Sequence, residues 1–250
     1  MQIKTVRHGL IIGFLLLFVL TGCASLSPVQ RPEVKAIKPA ELPAGNGWWR
    51  VRFRMNWPPD TDPDWDMDLY LAHQVILPLL EKNKSDILLW RFHRRANRDR
   101  EGRRFTFLFY STPATAQKIF DDLRSDSIIA NCLSDGVIDK IVYDDPTNIT
   151  RPHIKDTSDK SWPVAIQKVW PYYITGVSRM WLNLVAEVAD QDLKDQRPAS
   201  LEDIKQFYQQ VNANVTDLWQ KKGRHAFLHH LNAVFGYEPL IYWEKRYMEF

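Results

Sequence analysis

One strictly alternating segment constrains the fold of this chain more than any other feature. From Trp48 to Trp57, large apolar residues occupy every second position, and polar residues fill the positions between them. A period of two is typical of a β-strand with one buried face. The apolar set is Trp49, Val51, Phe53, Met55 and Trp57, and the polar set is Arg50, Arg52, Arg54 and Asn56. We therefore expect a sheet with one buried face and one face rich in arginine.

The segments after this strand predict a mixed α+β domain. Apolar spacing indicates a helix over 64–80, which Pro78 should kink or end because proline lacks a backbone N–H. The pair Thr112-Pro113 is typical of a helix start. The further predicted elements are strands over 87–94, 104–111 and 137–143, and a helix over 113–123. The resulting βαββαβ order is that of a ferredoxin-like sandwich.

From Trp162 onward the pattern becomes helical, so we expect a helical C-terminal half that packs on the sheet region. The apolar stripe that includes Ile166, Val169 and Tyr173 predicts a buried helix face that is kinked or begun at Pro171. Ser200 and Asp203 have the spacing of a capping box. A third helix over 224–235 should stop at Gly236, and residues 240–243 fit either an edge strand or a packed tail. The predicted boundaries are 48–150 for the α+β region and 151–250 for the helical region.

The N-terminus has the layout of an export signal. Lys4 and Arg7 precede a short apolar run over 10–20, which is about half the length that a membrane span needs. The sequence Leu20-Thr21-Gly22-Cys23 follows directly and resembles the lipobox of bacterial lipoproteins. This resemblance implies a signal peptide over 1–22 and acylation of Cys23, which would become the first mature residue.

Several expectations follow from this N-terminus. Acyl chains on Cys23 would anchor the protein to a membrane, and Ala24 in place of an aspartate favours the outer membrane, with the domain in the periplasm. Residues 23–47 contain four prolines without apolar periodicity and predict a flexible linker. Cys132 would be the remaining thiol, and its apolar neighbours predict that it is buried and inert.

The polar side of the predicted sheet is the candidate binding site. Its candidate ligand-binding residues are Arg50, Arg52, Arg54, Arg91, His93, Arg94 and Arg104. Guanidinium groups bind carboxylates and phosphates in a bidentate manner, so the ligand would be anionic, such as a peptide terminus. The alternatives are a solvated face or a face paired with acidic residues of the C-terminal helices. The net charge of +3 and the expected periplasmic location disfavour nucleic acid.

The sequence predicts no metal site, cofactor or catalytic residue. Alternating aspartates from Asp60 to Asp68 are spaced like a calcium loop, but Pro63 and Trp65 interrupt the loop, so we interpret the acids as helix-capping residues. His225, His229 and His230 lack an accompanying glutamate or an evident third ligand and are interpreted as surface residues. Nucleotide-binding loops and the GxSxG motif of hydrolases are absent from the sequence.

Residues 48–190 resemble the C-terminal domain of lanthipeptide dehydratases and thiopeptide-type bacteriocin biosynthesis proteins. The segments that carry the resemblance are Val75-Ile76-Leu77-Pro78-Leu79-Leu80, Trp90-Arg91-Phe92-His93-Arg94-Arg95 and Arg104-Phe105-Thr106-Phe107-Leu108-Phe109. Arg94 matches the arginine of the family's first aromatic motif. The histidine and arginines of the second motif fall on Arg104, Thr106 and Leu108, so most of its basic set is missing. The resemblance implies a similar fold without the family's glutamate elimination or ring formation.

We expect an outer-membrane lipoprotein that faces the periplasm and acts as a binding or envelope-complex accessory protein rather than as an enzyme. One alternative is an enzyme that acts on a peptide or another anionic substrate at the basic sheet face. Another is a structural subunit whose tryptophan-rich surface is an interface. A pocket with perturbed titrating groups beside His93 would favour an enzyme, and a large exposed apolar patch would favour an assembly subunit.

Overall fold

The chain is a mixed α+β protein built around a four-stranded antiparallel sheet. This computed structural model describes residues 45–192 and 200–240. The strands are β1 (Gly47–Met55), β2 (Leu89–Ala96), β3 (Arg103–Ser111) and β4 (Ile138–Tyr143). Their order across the sheet is β2-β3-β1-β4, and each neighbouring pair is antiparallel. The alternating segment that the sequence singles out thus forms a central strand, and the α+β class is confirmed.

The helices connect and follow these strands along the chain. They are α1 (Asp66–Leu71), α2 (Leu77–Lys82), α3 (Pro113–Arg124), α4 (Ser127–Ser134), α5 (Val164–Asp192), α6 (Leu201–Gly223) and α7 (His230–Val234). A π-helical turn, Ala72–Ile76, joins α1 to α2, and a second one, Arg224–His229, joins α6 to α7. A short 3₁₀ helix, Ile154–Thr157, lies between β4 and α5.

The main core lies between one face of the sheet and the helices α1 to α4. The buried residues of β1 are Trp49, Val51, Phe53 and Met55, which are at most 2% exposed. They pack with phenylalanines of β2 and β3 and with apolar residues of the four helices. Burial of these large side chains supplies the dominant stabilisation of the domain. Cys132 of α4 belongs to this core, and its predicted burial is confirmed.

Local signals place α3 correctly and account for α4, which the sequence reasoning missed. Thr112 caps α3, since its side chain accepts a hydrogen bond from the Thr115 N–H at 3.2 Å. Asp126 caps α4 in the same way and accepts from the Ile129 N–H at 3.0 Å. The apolar stretch around Cys132 is only two turns long, too short for its period to separate a helix from a strand.

Two prolines lie inside helices, and neither is a helix boundary. The helix that contains Pro78 neither ends nor breaks there, but a π-helical turn precedes the proline and α2 continues to Lys82. Proline cannot donate the usual backbone hydrogen bond, and π turns are one way a helix accommodates such an irregularity. The helix α5 begins at Val164 and runs through Pro171, so the expected start at Pro171 is wrong.

The helices α5 and α6 pack against each other and against α1. Their shared core contains Val185 and Ala189 of α5, Tyr208 and Val211 of α6, and Leu69 of α1. The capping box at the start of α6 is confirmed. The Ser200 side chain accepts from the Asp203 N–H, and the Asp203 side chain accepts from the Ser200 N–H.

The predicted buried stripe is wrong for the first half of α5. Ile166 is 46% exposed, Val169 is 62% exposed and Tyr173 is 51% exposed, counting the described residues. Apolar periodicity indicates which face of a helix is apolar, but it does not determine how far the neighbouring elements extend along that face. The buried part of α5 is its second half, where α6 and α1 lie against it.

Several predictions fall on residues outside the described ranges. These are the signal peptide over 1–22, the acylated Cys23, the linker up to residue 44, and the last residues of the 240–243 tail. Within 45–192 and 200–240, no helix is both long and apolar enough to cross a membrane.

Candidate functional site

The sheet face opposite the main core is basic, and strand register determines how its side chains are arranged. Residues opposite each other in an antiparallel pair share a face. Arg54 of β1 lies opposite Arg104 of β3 on one side and opposite Lys140 of β4 on the other. Arg104 in turn lies opposite Arg95 of β2. These four cations form one row across all four strands. We call this surface the basic face; it consists of Arg50, Arg52, Arg54, Arg91, His93, Arg95, Arg104, Thr106 and Lys140.

Six of the seven predicted ligand-binding residues lie on the basic face. The seventh, Arg94, lies on the other side of the sheet, because alternation along β2 directs it away from Arg91 and His93. Its Nε donates to Asp68 Oδ2 at 2.9 Å, and its guanidinium lies 4.8 Å from the centre of the Trp65 ring. Arg94 therefore helps to attach α1 to the sheet and is separate from the basic face.

Asp68, in the first turn of α1, has a different role from the one that the sequence suggested. Asp68 is fully buried and accepts from Arg94 and from Arg103 Nη2, the latter at 2.7 Å. The first residue before α1 is Trp65, and it makes no side-chain cap. The capping interpretation is thus wrong for Asp68, whose partners come from strands distant in sequence.

Acidic side chains neutralise only part of the basic face. Asp144 accepts from Arg50 Nη2 at 3.1 Å, pairs with Arg151, and lies 3.9 Å from Arg52 Nη2. One carboxylate is therefore shared by three guanidinium groups. Burial and the nearby positive charge of Arg50 lower the pKa of Arg52, as expected where cations outnumber anions.

The row of Arg54, Arg95, Arg104 and Lys140, which we call the outer row, has one carboxylate for each of its three arginines. Arg54 Nε lies 3.7 Å from Asp139, Arg104 Nη1 lies 2.5 Å from Glu101, and Arg95 pairs with Asp99. The acidic partners come from β4 and from the β2–β3 turn, and not from the C-terminal helices that the sequence suggested as an alternative. Each of these carboxylates is about half exposed, so their attraction is screened by solvent.

A groove lies beside the edge strand β2, between this strand, the 3₁₀ helix and α5. Its volume is about 760 Å³, within the range of small-molecule sites. Four tryptophans line it: Trp162, Trp170, Trp181 and Trp219. None of these four rings is fully buried in the described part of the chain. The arginines Arg91 and Arg94 of β2 contribute positive charge to the groove, and His93 of the same strand adds an imidazole.

Arg91 connects the groove to the basic face. Its Nε donates to Thr157 Oγ1 at 3.0 Å, and its guanidinium lies 4.9 Å from the centre of the Trp170 ring. Burial lowers the pKa of Arg91 to about 10, with a smaller contribution from the charge of Arg151. Arg91 still carries its charge at neutral pH, and the aromatic contact compensates part of its lost hydration.

His93 is the titrating group of the groove whose ordinary pKa lies nearest to neutrality. Partial desolvation lowers its pKa, and the positive charges of Arg91, Arg104 and Arg95 lower it further. His93 is therefore neutral at neutral pH and can donate or accept one hydrogen bond from each ring nitrogen according to its tautomer.

Hydrogen bonds hold the walls of the groove in place. The Ser178 side chain of α5 accepts from the Phe92 backbone N–H at 3.1 Å, which fixes α5 to the outer edge of β2. Ser158 Oγ donates to the Gln167 carbonyl at 2.7 Å and attaches the 3₁₀ segment to the start of α5. The rings of Trp162 and Trp170 meet edge to face with centres 5.4 Å apart. The walls of the groove are thus held in place by contacts within the chain.

Sequence reasoning found the cations of this region but missed the groove. The stripe that contains Trp170 was expected to be core, and Trp219 of α6 carried no separate signal because its partners in the groove come from distant segments. The unusual number of tryptophans, ten in the chain, is the one signal that could have indicated an aromatic site.

Three histidines lie close together near the C-terminal end of the described residues. The rings of His225 and His229 stack with centres 5.4 Å apart, and His230 lies beside them. No group of three or more histidine, cysteine, aspartate or glutamate side chains within 45–192 and 200–240 is arranged to hold a metal ion.

A scan against protein-family models and searches of curated proteins and of solved structures found no match to this chain.

Proposed function

We propose that this chain is a lipid-anchored binding protein of the bacterial envelope whose groove holds a ligand with an apolar or aromatic part next to a negative charge. The observation that carries this proposal is the groove of about 760 Å³ with four tryptophans and Arg91 in its wall. Tryptophan faces supply apolar contact at a small cost in conformational entropy, and an arginine at the rim selects an anionic group.

The groove contains titrating groups with lowered pKa values, Arg91 and His93, and this is the feature expected of an enzyme. The hydroxyl groups of Thr157, Ser158 and Ser178 are, however, already hydrogen-bonded within the chain, which favours binding over catalysis. Arg91 keeps its charge at neutral pH because its pKa is about 10, and the hydroxyl of Ser178 accepts from the Phe92 N–H. A nucleophile with an adjacent base is the usual requirement for covalent catalysis. The groove instead combines fixed cations with large apolar rings, which is the pattern of a ligand site.

The lipobox at Leu20-Thr21-Gly22-Cys23 supports the envelope location. In this proposal Cys23 carries the acyl chains, residues 24–44 form the tether, and the domain that follows faces the periplasm from the outer membrane. The ligand would be a periplasmic or membrane-derived molecule, or an anionic part of another envelope protein.

We also propose a ferredoxin-like arrangement for the sheet region. The antiparallel order β2-β3-β1-β4 and the alternation of strands with helices support it. A divergent relationship to the lanthipeptide and thiopeptide biosynthesis domains is compatible with this arrangement. The residues Thr106 and Leu108, where the family's second motif is basic, favour a protein without that chemistry.

The groove can be tested with anilinonaphthalene sulfonate, a fluorescent probe that combines an aromatic system with a fixed negative charge. A form of the protein that begins at Ala24 should bind one molecule of the probe saturably, with a rise in fluorescence. Trp170→Ala and Arg91→Gln should each weaken this binding by about tenfold or more, because each removes one of the two recognition elements.

The matched controls are an exposed apolar residue and an exposed cation elsewhere on the surface. Val169→Ser removes an apolar side chain that is 62% exposed on α5, and Arg124→Gln removes a cation of α3 whose side chain is 47% exposed. Both variants should bind the probe as the parent does. Equal probe binding by the parent, Trp170→Ala and Arg91→Gln would contradict a ligand site in the groove.

A further inference from the structure

The middle of the basic face holds a row of three hydrogen-bonding side chains on adjacent strands. His93 of β2 lies opposite Thr106 of β3, and Thr106 lies opposite Arg52 of β1. Neighbouring strands are about 4.8 Å apart, so the row extends over about 10 Å. A guanidinium, a hydroxyl and an imidazole thus stand side by side on one surface.

Arg52 is the member of this row with incomplete pairing. Its Nε is buried and makes no hydrogen bond with any described residue. Its one ion pair in the described part of the chain is the 3.9 Å approach to Asp144, which already accepts from Arg50 and Arg151. Leaving a buried donor without a partner costs free energy, so an acceptor at this position would stabilise the face.

The surroundings of the row add to the positive potential. The outer row lies on one side of His93, Thr106 and Arg52, and Arg91 and Arg50 lie on the other side. The acidic partners of the outer row are about half exposed and lie at the periphery, in β4 and the β2–β3 turn. Arg52 therefore lies among several cations of the basic face while sharing its one carboxylate, Asp144, with Arg50 and Arg151.

We propose that the row of His93, Thr106 and Arg52 is a binding site for a phosphate group. Phosphate offers several oxygens that can accept from a guanidinium and a hydroxyl at the same time, and arginine binds it in a bidentate manner. A single carboxylate would fill less of the row. The chemistry fits both a free phosphomonoester and the phosphodiester of a lipid headgroup.

Electrostatics supports the assignment. The pKa of Arg52 is lowered by burial and by Arg50, and the pKa of His93 is lowered by desolvation and by Arg91, Arg104 and Arg95. A bound dianion would oppose the repulsion on both groups. His93 can therefore report on occupancy, since its pKa should rise when phosphate binds.

This site is separate from the proposed function of the groove. Arg52 and Thr106 do not line the groove, and His93 is the residue of the row that the two have in common. A failure of one proposal therefore leaves the other unaffected: Trp170→Ala tests the groove, and Arg52→Gln tests the phosphate site.

The test is calorimetric titration of the full-length chain, held in a non-ionic detergent and a chloride buffer. Two probes distinguish the source of the phosphate: glycerol phosphate represents a free monoester, and glycerophosphoglycerol represents the phosphodiester of a lipid headgroup. Saturable binding of either probe is expected, and tighter binding of one identifies the source. Arg52→Gln and Thr106→Val should each weaken binding by about tenfold or more.

Controls separate this site from general attraction to a basic protein. Lys82→Gln and Arg124→Gln remove one positive charge each from α2 and α3, away from the basic face, and should leave binding unchanged within about twofold. The histidine resonances provide a second readout: the pKa of His93 should rise in the presence of the probe in the parent, and not in Arg52→Gln.

The proposal is overturned by any of three results. These are no saturable binding of either probe by the parent, equal binding by the parent and both row variants, or an unchanged His93 pKa at saturating probe. If Arg52→Gln unfolds, the isosteric Thr106→Val variant and the His93 titration of the parent decide the matter.

Discussion

Replacing Asp68 by asparagine removes the negative charge that holds two arginines of the sheet. The Asp68 side chain is fully buried, and it lies 2.7 Å from Arg103 Nη2 and 2.9 Å from Arg94 Nε. The Arg103 side chain is only 1% exposed, so water cannot replace the lost carboxylate. Asparagine has nearly the same volume, which separates the loss of charge from the creation of a cavity.

The expected loss of stability follows from the burial of the remaining charge. Removing one partner of a buried ion pair costs about 3 to 5 kcal/mol, because the other charge is left uncompensated. A whole domain is stable by only about 5 to 15 kcal/mol, so this one change would remove a large part of the total. For a chain of this size the corresponding fall in Tm is about 6 to 20 °C.

The assay is urea unfolding of a form that begins at Ala24, followed by tryptophan fluorescence and circular dichroism. The control is Lys82→Gln, which breaks a 2.8 Å ion pair with Asp122 whose lysine side chain is 56% exposed. An exposed pair of this kind contributes at most about 1 kcal/mol. If Asp68→Asn were no more destabilising than Lys82→Gln, the reasoning from burial would be refuted.

Three further outcomes are expected. Cys23→Ser should leave an unprocessed precursor that radioactive palmitate does not label, and equal labelling of variant and parent would exclude acylation at this residue. Burial lowers the pKa of His73 in the folded chain. The contribution of His73 to stability is therefore complete above its unfolded pKa of about 6.5 and is lost as the pH falls below that value. Urea unfolding from about pH 7.5 to about pH 5 should show a smaller loss of stability in His73→Gln than in the parent. Burial raises the pKa of Cys132 to about 11. In a Cys23→Ser background, a thiol reagent at about pH 8 should therefore react with the folded protein at least about tenfold more slowly than with the urea-unfolded protein. Similar rates would contradict burial of this thiol.

The sequence by itself determined those elements whose signals are local. Alternation identified β1 and its two faces, the Thr112-Pro113 pair identified the start of α3, and the Ser200–Asp203 spacing identified the start of α6. Each of these signals depends on side chains and backbone groups within a few residues of each other. The capping contacts join neighbouring residues and the alternation of β1 is carried by consecutive residues, so the pattern in the sequence is sufficient to predict both.

The tertiary structure alone decided which distant side chains meet. Asp68 looked like a helix-capping residue, but the position of α1 over the end of the sheet gives it two buried arginine partners. Arg94 carries the same charge as Arg91 and lies on the opposite side of the sheet, where it serves packing. Chemical type does not reveal such differences, because the partners are supplied by elements far along the chain.

The groove illustrates the same limit. The four tryptophans of the groove belong to a loop and two helices, and they meet because α5 lies along the edge of β2 and α6 packs against α5. An apolar period predicts that a helix face will be covered, but the covering is a property of the neighbouring elements. Where those elements end, the same rings that the sequence assigns to the core become the wall of a binding site.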